Sequence, residues 1–365
     1  MKVIVTGGGS GGHIYPAIAI ADKIKERSPE SQILYIGNEI GLEKDIVPKT
    51  GYPMELVSAK WLDRGNALKI FDTGYNVLKG VRQSLKIMKK FKPDVVIGTG
   101  GFVCVPVMIA GKRYGAKTYL HEQNAFPGVA NKMLEKYVSK VFLGFPDASQ
   151  YFKEPEKHVN AGNPVRKRFF NITTEEARAK LKIKKDAFVV FSFGGSQGAE
   201  KLNDVAFDLM EAVNGQRDIV FIFGTGSQYY EEINDKVKLK KIKLKDNIRI
   251  ISYINDMENY LGASDLIISR SGALSVAETT VCGKAAILIP SPNVTGNHQF
   301  YNAKAIADKG GAILIEEKDL TSENLIEEVL RLKHNPQIVK EMMVASKSCA
   351  PENATNIIYE NIVTS

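Results

Sequence analysis

Short runs of aliphatic and aromatic residues, most of them closed by glycine, alternate along this chain with longer stretches whose apolar positions recur at helical spacing. KVIVTG, a helix-like segment from Pro16 to Arg27, then QILYIG, DVVIGTG and AKTYLHE set the rhythm of parallel strands joined by crossover helices. The rhythm restarts at Phe188 with FVVFSFGG and continues through DIVFIFGTG, NIRIISY, DLIISRSG and AAILIPSP. Between the halves, AGNPVRKRF from Ala161 interrupts both periods with Gly, Asn and Pro and reads as a hinge. The pattern predicts an α/β protein of two Rossmann-like, doubly wound parallel-sheet domains, residues 1–162 and 163–350. Ligands are expected in a deep cleft at the carboxyl ends of the strands. Residues 351–365 carry a last helical pattern, Asn353 to Thr364, which either packs on its own domain or crosses back to the first.

Composition narrows the class without choosing a function. At 365 residues, 44% hydrophobic and 25% charged, the chain is long enough for two ordinary cores. Its cysteines, Cys104, Cys282 and Cys349, are widely spaced and odd in number, which supports neither a disulfide framework nor a zinc site and points to a reducing cytoplasm. MKVIVTGGG enters a strand and a glycine loop directly, without the apolar core of a signal peptide. No run approaches the roughly 18 apolar residues of a spanning helix. A net charge of +8 suggests anionic partners: phosphates, nucleic acid or acidic lipid. The aromatic–basic interleaving of single-strand binders is missing, so no nucleic-acid partner is expected.

The candidate chemistry sits where strands end. SRSGALSVAETT, from Ser269, reads as strand, tight turn and helix start, a place whose amides and dipole attract anions. Glu278 follows about a turn and a half later, with two oxygens able to accept from both hydroxyls of a ribose. TGGGSGGH, from Thr6 to His13, opens the first helix and can form an anion-binding concavity. Gly7, Gly9 and Gly12 also match the dinucleotide fingerprint, with Glu39 after the second strand as the ribose acid, so an NAD-dependent oxidoreductase is a rival. Further glycine loops, GTGGF (Gly98 to Phe102) and FGGSQGAE (Phe193 to Glu200), favour phosphates held by both domains. Asp-x-Asp is absent and no His, Cys and carboxylate cluster has ligand spacing, so neither metal nor cofactor is expected. The stretch Thr73 to Pro93 is basic, with Lys79, Arg82, Lys86, Lys89, Lys90 and Lys92 and no acid, and it carries an apolar stripe of Tyr75, Leu78, Val81, Leu85 and Met88. With that stripe inward, Trp61 and Leu62 become the candidates for shallow membrane insertion.

TGGGSGGHIYPA, GTGGFVCVP, HEQNAFPG, GNPVR, GGSQG, SRSGALSVAE and NHQFYNA stand in the order and at roughly the spacing of the MurG family of bacterial N-acetylglucosaminyltransferases, which the chain resembles. The resemblance spans Met1 to about Gly311. It implies a GT-B fold and transfer of N-acetylglucosamine from UDP-GlcNAc to the muramoyl sugar of lipid I, an undecaprenyl diphosphate, giving lipid II for peptidoglycan synthesis with inversion at the anomeric carbon. It implies peripheral association with an anionic membrane surface, at the cytoplasmic face of the cell membrane, and a place among other cell-wall synthesis proteins. Carried over by motif, Glu278 is the ribose acid and Ala273, Leu274, Ser275, Val276 and Ala277 line the donor. Ser196 contacts the α-phosphate, Arg166 is the donor-site arginine, Ile254 faces the uracil, and Gln299 and Asn124 serve the donor sugar. Ser10, Gly11 and Gly12 complete the donor set, and Gly9, Gly11, Gly100 and Gly101 take the acceptor diphosphate. His13 is the matched general base or else a phosphate donor. Glu122 is a second base candidate, or fixes His121 or a backbone amide. Ser10 replaces the Thr of many relatives, and SPNVTGN before His298 varies.

Overall fold

The computed structural model describes residues 1–60, 67–195, 198–351 and 353–364. The chain divides into two compact units, one formed by Met1–Val165 and the segment from Pro351 onward, the other by Arg166–Ala350.

In the first unit β1 (Lys2–Thr6), β2 (Gln32–Asn38), β3 (Met54–Val57), β4 (Val95–Gly98), β5 (Lys117–Glu122), β6 (Lys140–Leu143) and β7 (His158–Asn160) form one seven-stranded sheet in the order β3-β2-β1-β4-β5-β6-β7. Every neighbouring pair is parallel. The central strands are Val/Ile runs buried on both faces, as a sheet covered by helices requires: Val3, Ile4 and Val5 of β1 are all fully buried. The second unit repeats the plan with β8 (Phe188–Phe193), β9 (Ile219–Gly224), β10 (Ile248–Ile251), β11 (Leu266–Ser269), β12 (Ala285–Leu288) and β13 (Ala312–Leu314), ordered β10-β9-β8-β11-β12-β13 and again all parallel.

Both sheets therefore reverse their winding between the first and fourth strands of the unit, β1/β4 and β8/β11, which is where an open parallel sheet leaves a crevice. TGGGSGGH follows β1 and GTGGF follows β4; GGSQG follows β8 and SRSGA follows β11. Each unit thus sets two small-residue loops side by side at its switch point. Sequence periodicity missed β3, β6, β7 and β13, which are short; β3 and β7 lie at sheet edges and are partly exposed.

The helix Gly11–Arg27 seats Ile14, Ala17, Ile18, Ala21 and Ile24 on the first sheet and starts at Ser10, whose backbone is extended. The last helix, Ala354–Val363, lies in the first unit, where Ile358 and Ile362 join the core of Val3, Val5 and Ile20. Burying such side chains contributes about 1.5–3 kcal/mol each. The accompanying Arg27–Glu360 ion pair is half exposed and adds at most about 1 kcal/mol, so apolar burial holds the tail in place. Among the described residues no helix is long and apolar enough to cross a membrane.

Candidate active site

The backbone groups of the first glycine loop are held by partners outside the loop. Gly8 donates to the Gly100 carbonyl at 3.2 Å, Tyr35 donates its phenol to the Gly7 carbonyl at 2.5 Å, and the Gly9 amide donates to the carboxylate of Glu43 at 3.1 Å. The loops after β1 and β4 touch so closely that a Cβ on Gly101, at φ +83°, would stand 2.3 Å from the Gly8 carbonyl oxygen. Only glycine fits there.

His13 sits in the first turn of the helix, with Nδ1 3.0 Å from the Gly8 carbonyl oxygen and 3.4 Å from Ser10 Oγ. A carbonyl can only accept, so Nδ1 carries a proton, and in the neutral form of the ring Nε2 carries the lone pair. The ring lies over Gly100, where a Cβ would come within 2.7 Å of Cδ2 and 2.9 Å of Nε2.

Glu122 ends β5 and is buried. One oxygen accepts from the Asn124 amide at 2.9 Å and from Asn124 Nδ2 at 3.1 Å; the other accepts from the Gly128 amide at 3.0 Å and from Asn131 Nδ2 at 2.8 Å. Four donors fill the lone-pair sites of a carboxylate. His121 beside it is held neutral, its pKa pushed down to about 4 by burial, with Nε2 donating to the Gly162 carbonyl at 2.9 Å. Gln123 Nε2 donates to His121 Nδ1 at 2.9 Å, and Asn163 Nδ2 donates to the Gln123 carbonyl at 2.9 Å. The HEQN segment is thus tied to GNPV through buried polar bonds.

In the second unit Glu278 lies in the helix Ala273–Val281, with an oxygen 3.6 Å from Arg166 Nη2. Burial pushes its pKa up from 4.5 to about 7, and the Arg166 guanidinium opposes that rise without cancelling it. Ile254 folds over the end of β9, its Cδ1 2.8 Å from where a Gly224 Cβ would be. Ser271 Oγ donates to the Gln299 carbonyl at 2.8 Å, and the Gln299 side-chain oxygen accepts from the Ser291 amide at 3.0 Å. Arg270, also on the turn after β11, donates to the carbonyls of Ile289 and Pro290 and pairs with Glu317. Arg270, Ser291 and Gln299 border a cavity of about 510 Å³ lined also by Gly194, Gly198 and Tyr229. Among the described residues no group of three or more His, Cys, Asp or Glu side chains is placed to hold a metal ion.

Models of the glycosyltransferase family 28 N-terminal and C-terminal domains match residues 3–143 and 189–358. A relative from Alkaliphilus oremlandii (strain OhILAs) is 42% identical over 99% of this chain and 98% of its own length, and is named a UDP-N-acetylglucosamine--N-acetylmuramyl-(pentapeptide) pyrophosphoryl-undecaprenol N-acetylglucosamine transferase. The chain belongs to glycosyltransferase family 28. A relative from Clostridioides difficile (strain 630), with the same name, is 42% identical over 100% of this chain and 88% of its own. The crystal structure of Acinetobacter baumannii MurG matches with a TM-score of 0.80 at 26% identity, covering 100% of this chain and 99% of that one. The fold is GT-B, with two parallel-sheet α/β domains.

Within this family 28 frame the candidates of the sequence sort by what their atoms already do. Ser10, Gly11 and Gly12 head the first helix, where first-turn amides have no intrahelical acceptor. The Gly9 and Gly100 amides already donate, to Glu43 and to Cys104 Sγ at 3.2 Å. The Glu122 oxygens are buried and each accepts from two donors, the arrangement of a residue that fixes backbone amides. The Val276 and Ala277 side chains are buried, and both residues lie inside the helix, the Val276 amide donating to the Gly272 carbonyl at 3.0 Å. Ala273 is also buried, which leaves its first-turn amide and the half-exposed Leu274 and Ser275 at the helix start. Asn124 is held by Glu122. Arg166 pairs with Glu278, Gln299 is bonded to the β11 turn, and Ile254 covers the end of β9. Ser196, Trp61 and Leu62 lie outside the described residues. The dehydrogenase alternative falls with the family, and Glu39 itself is exposed, 3.5 Å from Ser58 Oγ. Sequence reasoning passed over Glu43, Tyr35 and Arg270. For Glu43 the available signal was the pair of glycines, Gly37 and Gly41, spaced around it.

Proposed function

We propose that the protein transfers N-acetylglucosamine from UDP-GlcNAc to the muramoyl sugar of undecaprenyl-diphosphate-linked lipid I, making lipid II. The observation that carries this reading is 42% identity, over 99% or more of this chain, to relatives named for that transfer. The second unit takes the donor: Glu278 accepts from the ribose hydroxyls, Ile254 covers the uracil, and the helix starting at Ala273 turns its dipole toward the diphosphate. The first unit takes the acceptor diphosphate at the start of the helix Gly11–Arg27. His13 Nε2 removes the proton of the acceptor hydroxyl as its oxygen bonds to the anomeric carbon and the bond to UDP breaks. The negative charge that develops on the leaving diphosphate falls on the helix-terminal amides, and a single displacement inverts the anomeric carbon.

The test is transfer of labelled sugar from a panel of sugar nucleotides to a lipid I analogue. UDP-GlcNAc should give the disaccharide product and the other donors far less. Binding of UDP-GlcNAc with no transfer to this acceptor would contradict the assignment.

The acceptor is lipid-linked, and the helix Ala67–Phe91 supplies a surface for it. Its apolar stripe divides: Val81 and Met88 are buried in the core, whereas Tyr75 and Leu78 are 65% and 55% exposed. They share their side of the helix with exposed Lys79, Arg82 and Lys86. We read this face as the contact with the anionic cytoplasmic leaflet. A basic residue near such a surface contributes about 1 kcal/mol. Changing Lys79, Arg82 and Lys86 together to alanine should lower retention by anionic vesicles about a hundred-fold. Transfer to a water-soluble acceptor should be unchanged. Equal retention of both proteins at low salt would contradict this contact.

A further inference from the structure

Behind the first glycine loop lies a carboxylate with no part in the chemistry so far. Glu43 opens the short helix Glu43–Ile46 and is fully buried. Its Oε1 accepts from the Asn38 amide at 2.8 Å and its Oε2 from the Gly9 amide at 3.1 Å. The backbone presses on it from several sides: a Cβ on Gly8, Gly37 or Gly41 would stand 2.3, 2.7 or 2.1 Å from its side chain. A charge so far from water is costly, and amide donors are what offset that cost here.

The Gly9 N–H and the Gly8 C=O are the two ends of one peptide unit. That carbonyl is the group that receives His13 Nδ1–H, at 3.0 Å. Carboxylate, peptide and imidazole are therefore hydrogen-bonded in series.

We propose that Glu43 is a positioning residue for His13 and acts through the Gly8–Gly9 peptide; the proposal rests on the reading of His13 as the base. Hydrogen bonds in series polarise one another, so a carboxylate on the N–H makes the carbonyl a stronger acceptor for Nδ1–H. The proton stays on Nδ1, the lone pair stays on Nε2, and the imidazolium formed when Nε2 takes the acceptor proton is stabilised. The same pair of bonds fixes the plane of the peptide, since rotation about its flanking bonds would break both. Serine-hydrolase triads obtain this effect from a carboxylate bonded directly to the imidazole. Here one peptide unit intervenes.

Glutamine in place of Glu43 offers one acceptor oxygen and one NH₂ group. It loses the charge, and in either orientation of its amide one of the two backbone N–H groups, that of Asn38 or that of Gly9, faces a donor instead of an acceptor.

The experiment uses the full chain labelled with 15N-histidine, with the His13 signals assigned by their loss in a His13→Gln variant. The ring nitrogen shifts report which nitrogen carries the proton. The wild type should hold His13 with Nδ1 protonated. Glu43→Gln should shift the ring toward the Nε2–H tautomer and lower kcat about 10- to 100-fold, the scale on which groups supporting an active-site ligand act. The KM for UDP-GlcNAc should move by less than about two-fold. A wild-type ring protonated at Nε2 overturns the proposal without any variant, and that measurement decides the matter even where Glu43→Gln does not fold. A variant with unchanged tautomer overturns it as well. A fall in kcat accompanied by an equal loss of donor affinity would mark Glu43 as structural only and also overturn it. Unimpaired transfer by His13→Gln would instead remove His13 as the base, and with it the positioning role given to Glu43.

Discussion

Replacing His13 by alanine lowers transfer to the lipid-diphosphate acceptor by about 10²- to 10⁴-fold, the usual contribution of a positioned general base, and leaves the affinity for UDP-GlcNAc within about two-fold of wild type. The expectation follows from which ring nitrogen is engaged. Nδ1 donates to the Gly8 carbonyl, so the lone pair of a neutral ring is on Nε2, and the ring lies against Gly100 where the two first-unit glycine loops meet. The other candidate, Glu122, receives donors from the Asn124 amide and side chain, Gly128 and Asn131. A Glu122→Gln variant should therefore disturb the HEQN loop and its stability before it disturbs proton transfer. Single-turnover transfer, with donor binding followed separately by calorimetry, distinguishes the two. A His13→Ala protein that turns over like wild type would show that the proton leaves by another route.

Glu278→Gln weakens UDP binding and flattens its dependence on pH. In the unliganded protein burial raises the Glu278 pKa from 4.5 to about 7, with Arg166 opposing the rise. Ribose hydroxyls donate to the ionised form, so binding favours the carboxylate and releases a proton wherever the unliganded group is still protonated. UDP affinity should therefore climb as pH rises through about 7 and level off above it. With glutamine the affinity should be lower, by about 1.5–3 kcal/mol for lost bonds to a charged acceptor, and flat over that range. Stability runs the other way. A carboxyl whose folded pKa is raised above its unfolded value contributes stability that is complete below the unfolded pKa and is lost as pH rises through the folded one. Above about pH 7 the ionised Glu278 is thus a burden on the second unit, and Glu278→Gln should melt no lower than wild type at about pH 8. Calorimetric titration with UDP from about pH 5.5 to 8.5, a window that brackets the folded pKa, checks the first point, and thermal melts check the second. A wild-type affinity independent of pH would contradict the role given to this carboxylate.

The fold was legible where strands are central. β1, β4, β8 and β11 are apolar runs ending in small residues, because strands covered on both faces need apolar side chains throughout and their ends must turn close to a ligand. The edge strands β3 and β7 were not legible, since a few half-exposed residues leave no period to read. The tail showed its helical pattern but not its partner: periodicity fixes which face is apolar and says nothing of what covers it. Among the candidate site residues, Glu278 drew notice as a carboxylate shortly after a strand–turn–helix start, and His13 through the family motif that it ends. The helix start in SRSGALSVAETT was legible, but a run of small and apolar residues does not say that the Val276 and Ala277 side chains turn into the core. Glu43 was hidden by Glu39, which lies nearer the end of β2 and looks the better ribose acid, whereas the backbone folds Glu43 under the loop and leaves Glu39 exposed.

We propose a division of labour, with donor affinity set by Glu278 in one unit and proton removal by His13 in the other. The most direct measurement is the donor dissociation constant and the single-turnover transfer rate at saturating donor, taken on the same preparations of wild type, His13→Ala, Glu278→Gln and the double variant. The expected pattern is a rate lost with His13 at unchanged affinity, an affinity lost with Glu278 at a largely retained rate, and a double variant in which the two effects add as free energies. Loss of donor affinity on replacing His13, or a transfer rate that depends on Glu278 alone, would contradict it.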